Sequence, residues 1–437
     1  MPQTVSERRS VLQAGFAEID ITPPAHCTLA GYFHPRQIEG VLDPLFARAA
    51  VLESGGQRIA LVSCDLLSLR RETVATARRE IERTTGIPGQ HVALFATHTH
   101  TGPFPSRIFG VDPDEGYLAM VAAKIVEAVG AAASALAPAE LGVGTAFEPR
   151  ISFNRRWVMK DGRVRTHPPR GSTDLSHPEG PMDPEVGVLC FRRPGGEVAG
   201  LFVNFACHTN VVGGSQVSAD YPGGLSRAAK ARYGAACVTV FGNGACGDLC
   251  QIDVTDPAKK DYGWEWADHM GQVLAEDVEK ARVSMAFGSE ARLRVARRTL
   301  SVPIRDPETT PYHGTMFGGE PGPELDARYK EEQAELGARM RANPNVEFEV
   351  QALRIGPAAL VMIPAELFVE FGLEIKLRSP VQPTFVVELA NGIIGYVPTP
   401  KAFEHGGYET RTATSSRLVP EAGAQIVVAA LAALEEL

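Results

Sequence analysis

The sequence predicts an α/β fold of mixed β-sheets flanked by helices. Short runs rich in Val, Ile, Leu and Phe alternate along the 437 residues with longer amphipathic segments. The first trio of these, RIALVSCDLL (58–67), RRETVATARREIER (70–83) and HVALFATH (91–98), reads as strand, helix, strand. Composition agrees, because 44% hydrophobic and 22% charged residues are ordinary globular usage and supply a large core.

The remaining elements follow in order. A helix is expected over 114–136, strands near 187–192, 198–206 and 237–241, and a helix over 264–282. Residues 303–324 are dense in Pro and Gly and predict a long loop, and the charged LDARYKEEQAELGARMRA after it predicts a helix. Strands at 358–363 and 385–389 and a helix from Glu421 end the chain. No internal repeat shows in the sequence. The expectation is an N-terminal arm (1–12) and one hydrolase domain (13–437), within which 303–345 forms a loop-and-helix insertion or lid.

Charge and composition exclude some classes. The net charge is −9 and no long Lys/Arg run is present, so no nucleic-acid partner is expected. The Arg8-Arg9 pair is not followed by an apolar stretch of signal length, and roughly 18 consecutive apolar residues occur nowhere. A cytoplasmic protein without stable membrane association is expected, and homo-oligomerisation stays open. Seven cysteines, an odd number without CxxC spacing, predict reduced thiols rather than a Cys-type zinc site.

Chemistry gathers where apolar strands run out: ATHTHTGP (96–103), FACHTN (205–210), MIPAEL (362–367) and IIGYVPT (393–399). Strand ends hold side chains rigidly beside a crevice. In extended backbone, His98 and His100 would share one face, so spacing allows either or both to bind a metal. Imidazoles, a carboxylate and a phenol together suit zinc in an open site.

These segments, with GFAEIDITPP (15–24), FNRR (153–156), SADYPGG (218–224), FGNGACGD (241–248) and the GGYE run, resemble the neutral/alkaline non-lysosomal ceramidase family. The resemblance implies a ceramidase-like catalytic domain without that family's C-terminal β-sandwich. It implies one Zn²⁺ per chain held by His98, His208, Glu366 and Tyr396, with His100 and Tyr408 facing the substrate as catalytic groups. Zinc in such a ligand set lowers the pKa of water to near 7, so the expected reaction is hydrolysis of an amide (C–N) bond in a small soluble molecule. A true ceramidase, an ester or lactone hydrolase, and a non-catalytic metal-binding module are the alternatives.

Other residues carry two readings each. Asp65 either orients a metal-bound His or caps a helix. Asn154 and Arg155 either hold a polar substrate group or form a solvated face. Asp220 is expected to organise its loop. Cys250 stands where ceramidases carry Ser, and is expected at the substrate, with a thiol-nucleophile role as the alternative to metal-activated water.

Overall fold

The computed structural model describes residues 11–310 and 322–437. The arm assigned to residues 1–12 therefore falls almost wholly outside the described residues, as does the 311–321 part of the predicted loop.

Three sheets dominate, and each repeats one topology. In the first, antiparallel strands Gln13–Asp20, Phe46–Ser54 and Gln57–Cys64 are followed by a helix, Arg71–Thr85, and by Val92–Ala96, which pairs parallel with Gln57–Cys64. Glu140–Phe147, Glu185–Arg192, Val198–Phe205, helix Asp220–Tyr233 and Val238–Asn243 repeat that order and those directions. Leu293–Pro303, Asn345–Ile355, Ala358–Met362, helix Val369–Arg378 and Thr384–Val387 do so a third time. A parallel pair requires a crossover, and in every unit one helix supplies it. Each unit closes with a further helix: Glu115–Ser134, Trp264–Val283 and Ala422–Leu434.

This threefold repetition is the main departure from the sequence reading. The predicted βαβ unit is present, but the amino acids of the three units are unlike, and insertions of different length interrupt them. The hairpin of the third unit illustrates this, because Pro303 pairs with Asn345 and the segment between them carries the helix Pro323–Ala342.

Strand periodicity explains the layers. Alternate residues point to opposite faces, so Leu61, Phe95, Leu189, Phe202, Leu360 and Phe385 meet in one central core between the sheets. Their neighbours Val62 and Leu94, Val188 and Val203, and Val361 and Val386 pack outward under the helices of their own unit. Phe95 and Phe202 meet edge-on with centroids 6.3 Å apart, tying the first sheet to the second. Truncating either to Ala costs about 3–5 kcal/mol. The helix Glu115–Ser134 is long and apolar enough, by length and composition, to cross a membrane. Here its Leu118, Val121, Ile125 and Val129 are buried against the first sheet.

Several elements escape the sequence reading. Asp220–Tyr233 opens with Asp-Tyr-Pro-Gly-Gly, which reads as a turn, yet proline is tolerated in a helix's first turn, where no N–H is needed. Leu293–Pro303 alternates arginines with apolar residues because one of its faces is exposed.

Candidate metal centre and active site

The three units meet where their parallel strands end, and the site is built from the loops that follow. Val92–Ala96 is wholly buried and delivers His98 two residues beyond its end. The backbone there is not extended: His98 has φ +70°, a left-handed conformation uncommon for a non-glycine residue. The shared-face argument for His98 and His100 therefore fails, although the two rings still converge, perpendicular and 4.8 Å apart between centroids. The second unit supplies His208, three residues past Val198–Phe205. Cross-links lock the loops: His100 N–H donates to the Thr209 carbonyl at 3.1 Å and Thr209 Oγ1 donates to the Thr97 carbonyl at 2.6 Å. Glu366 and Tyr396 come from the third unit as partners in a short parallel pair, Glu366–Leu367 with Tyr396–Val397.

The donor set fits a metal cation. His98 Nδ1 lies 2.8 Å from the Leu67 carbonyl, and His208 Nδ1 lies 3.0 Å from the Cys246 carbonyl. A carbonyl only accepts, so the proton of each neutral ring sits on Nδ1 and the Nε2 lone pair points inward. Those two Nε2 atoms are 3.0 Å apart, and His100 Nε2 is 3.3 Å from that of His98. Glu366 Oε2 stands 3.5 and 3.6 Å from the His98 and His208 Nε2 atoms. Lone pairs facing one another at such separations repel unless a cation sits between them. His98, His100 and His208 form a buried group able to hold a metal, and on geometry alone His100 qualifies as the third imidazole.

Burial pushes the His208 and His100 pKa values well below the ordinary imidazole range, and neighbouring positive charges, Arg155 among them, lower both further. Neutral imidazole is the form a metal requires. For His98 burial acts the same way, but the Glu366 carboxylate, the Leu67 carbonyl and the Glu388 charge together outweigh it and the net shift is upward.

A small cavity of about 140 Å³ opens on this cluster, lined by His98, His100, His208, Glu366, Tyr396 and Tyr408, with Arg155, His167 and the aromatic rings of Tyr32, Phe33 and Phe109 around them. Burial raises the Tyr396 pKa well above the phenol range, with the Glu366 charge adding to the effect, so the uncomplexed side chain is a phenol that hydrogen-bonds Glu366. Tyr408 is packed edge-on to Tyr396 at 5.9 Å.

Arg155 reaches the cavity fully buried. Its Nε donates to Glu409 Oε1 at 3.1 Å and its Nη2 to the Gly247 carbonyl at 2.6 Å, while Tyr396 Oη lies 3.4 Å away. It is a pocket residue, not part of a solvated face.

Three expected site residues stand elsewhere. Asp65 Oδ2 accepts from Arg48 at 2.6 Å and from the Phe46 N–H at 2.9 Å. It therefore orients neither ring, a task the Leu67 carbonyl performs for His98, and the adjacent helix is capped at Arg70 without a side-chain bond. Asn154 Nδ2 is spent on Asp248 at 2.8 Å and the Pro181 carbonyl at 3.0 Å. Cys250 is paired with Phe153 in a buried two-residue ladder and does not line the cavity. Burial also pushes its thiol up to about 11, the opposite of an activated nucleophile. Asp220, at φ +58°, accepts from the Val212 N–H at 2.7 Å and the Tyr221 N–H at 2.6 Å. The next residue braces the His208 loop, since Tyr221 Oη donates to the Cys207 carbonyl at 2.7 Å.

Supporting residues carry no assigned role in the sequence reading, although Glu409 ends the GGYE run. Glu409 bridges Arg155 and Arg156. Arg36 donates to the carbonyls of His100 and Ala30 and lies 3.9 Å over the Tyr32 ring. Glu388 accepts from the N–H groups of Cys246 and Leu367, both at 3.0 Å, fixing the loops beside His208 and Glu366. Gly31 has φ +95° and packs on His100, where a Cβ would stand 2.6 Å from that ring.

No family model and no curated sequence matches the chain. Solved structures do match in fold, two ceramidases among them. The crystal structure of neutral ceramidase from Pseudomonas aeruginosa gives a TM-score of 0.76 at 22% identity over 98% of this chain and 75% of that one. A ceramidase complexed with C2 gives 0.76 at 20% identity, over 98% of this chain and 76% of that one. The chain has the neutral ceramidase fold. Within that ceramidase fold, the imidazole cluster, Glu366 and the Tyr396–Tyr408 pair occupy the junction of all three units.

Proposed function

We propose that this chain is a metal-dependent hydrolase that cleaves an amide bond of a small soluble substrate. The observation that carries the reading is the convergence of His98 Nε2, His208 Nε2 and Glu366 Oε2 on one point at the wall of a cavity. In this reading His98, His208, Glu366 and Tyr396 hold one divalent cation, zinc by the chemistry of the donors. When bound, it supplies Lewis-acid polarisation of the carbonyl and activation of water.

The chain's own groups supply the rest. His100, kept neutral by burial, takes the proton of the attacking water at Nε2 and returns it to the leaving amine. The Tyr408 hydroxyl and the Arg155 guanidinium face the same cavity and stabilise the oxyanion as the carbonyl becomes tetrahedral. Removing one such donor typically costs about 2.7–4 kcal/mol of transition-state stabilisation.

The solved neighbours favour a second reading, hydrolysis of ceramide itself. Against it stands the lining of the adjoining cavity of about 870 Å³, with seven arginines and four glutamates, a poor wall for alkyl chains. A panel of short-chain amides, matched esters and lactones, and N-acyl sphingosines separates the readings. Turnover confined to small amides supports the proposal, whereas ceramide as the best substrate replaces it.

A further inference from the structure

That larger cavity is lined by His98 and Glu366 and, through Gly395, Ser415 and Thr414, by Arg417. Its other arginines are mostly answered by carboxylates. Arg78 and Arg297 reach Glu349, Arg107 and Arg339 reach Glu335, and Arg70 reaches Glu115. Arg417 is different. Its Nη2 donates to the Ile393 carbonyl at 3.0 Å and its Nη1 to the Thr414 carbonyl at 3.5 Å, while its Nε is buried without a partner. Among the described residues no carboxylate pairs with it. Carbonyl dipoles solvate a guanidinium but do not neutralise it, and Arg339 adds a second positive charge nearby. A half-buried charge without a counter-ion is costly, and this one shares a cavity with the proposed metal ligands.

We infer that Arg417 is the counter-ion for a carboxylate on the substrate, so that the preferred substrates are N-acylated amino acids rather than neutral amides. The planar guanidinium matches a carboxylate, and a single part-buried charge without a carboxylate matches a monoanion; Arg71, the other cavity arginine without an ion pair, is exposed and donates to the Glu347 carbonyl. The inference rests on the amide-hydrolase reading and adds its substrate class. In the reaction the acyl C–N bond breaks, water's oxygen joins the acyl carbon to give a short-chain carboxylate, and the nitrogen gains the protons to leave as the free amino acid.

The test compares N-hexanoylglycine with N-hexanoylethanolamine, matched in size and differing in charge, on the metal-loaded enzyme. Wild type is expected to favour the glycine conjugate by about 30-fold or more in kcat/KM. Arg417→Gln should shrink that ratio at least about tenfold, mainly through KM, and Arg417→Lys should restore part of it. Equal turnover of the two compounds, or a ratio unchanged in Arg417→Gln, overturns the inference. If neither compound is hydrolysed, the hydrolase reading fails, and calorimetric titration of the same two compounds decides the site separately. Tighter binding of N-hexanoylglycine that weakens in Arg417→Gln supports the carboxylate site, and equal binding overturns it. Should Arg417→Gln fail to fold, the wild-type comparison and Arg417→Lys still decide.

Discussion

Glu409→Gln tests how the pocket arginine is held. Glu409 Oε1 accepts from Arg155 Nε at 3.1 Å, and Oε2 accepts from Arg156 Nη1 and Thr166 Oγ1, each at 3.1 Å. All three charged side chains are 0–1% exposed. Arg156 retains Glu179 when Glu409 is neutralised, but Arg155 loses the one carboxylate it pairs with among the described residues. Breaking a buried pair in this way costs about 3–5 kcal/mol, and the isosteric amide places the change near the lower figure. An unfolding entropy of about 2.1 cal/mol/K per residue makes 3 kcal/mol equal to roughly 3 °C in Tm for a cooperative chain of this length. Calorimetry should show that loss, and turnover should fall as well, because Arg155 lines the cavity with Tyr396 and Tyr408. A Tm within about 1 °C of wild type together with unchanged turnover would refute the assignment of Glu409 as the anchor of Arg155.

Other outcomes follow from the same geometry. His100→Ala should retain metal and lose turnover; an empty site in that variant, read by elemental analysis, would make His100 a ligand. Cys250→Ser should stay within about tenfold in kcat/KM, about 1.4 kcal/mol, because the thiol is buried away from the cavity. A trapped acyl adduct on Cys250, detected by mass spectrometry, would contradict this. Burial raises the Asp248 pKa to about 6, so between its ordinary 3.8 and 6 the folded state holds a proton that the unfolded state has released. Its contribution to stability is present below 3.8 and lost as pH rises through 6, a fall on the order of 3 kcal/mol. Denaturation at pH 4 and 6.5 should show Asp248→Asn lacking that fall, and parallel wild-type and variant profiles would refute it.

The legible part of the site was the part that broke a local pattern. His98 and His208 stand out because each ends a continuous apolar run, and Glu366 and Tyr396 because each follows another. Glu409 and Arg36 carry no such signal, whereas Glu388 does follow the apolar strand Thr384–Val387 and its role shows only in the folded chain. Their partners lie tens to hundreds of positions away, and a single Glu or Arg in a polar loop looks the same whether solvated or buried. Asp65 shows the converse limit: its position after a strand suggested service to a histidine, but Arg48 on the neighbouring strand claims it. The alternation of strands and helices gave the α/β class, yet the threefold repetition resides in chain direction and order, which unlike sequences share without trace. The rings of His98 and His100 do converge, but a left-handed residue, not an extended pair, turns them together.

The central claim is that His98, His208 and Glu366 hold a catalytic cation. Elemental analysis of purified protein, paired with amide turnover before and after chelation, tests it most directly. About one tightly bound zinc per chain is expected in wild type and none in His208→Ala or Glu366→Ala, with chelation abolishing turnover and added zinc restoring it. Full amide hydrolysis by a metal-free preparation would contradict the account.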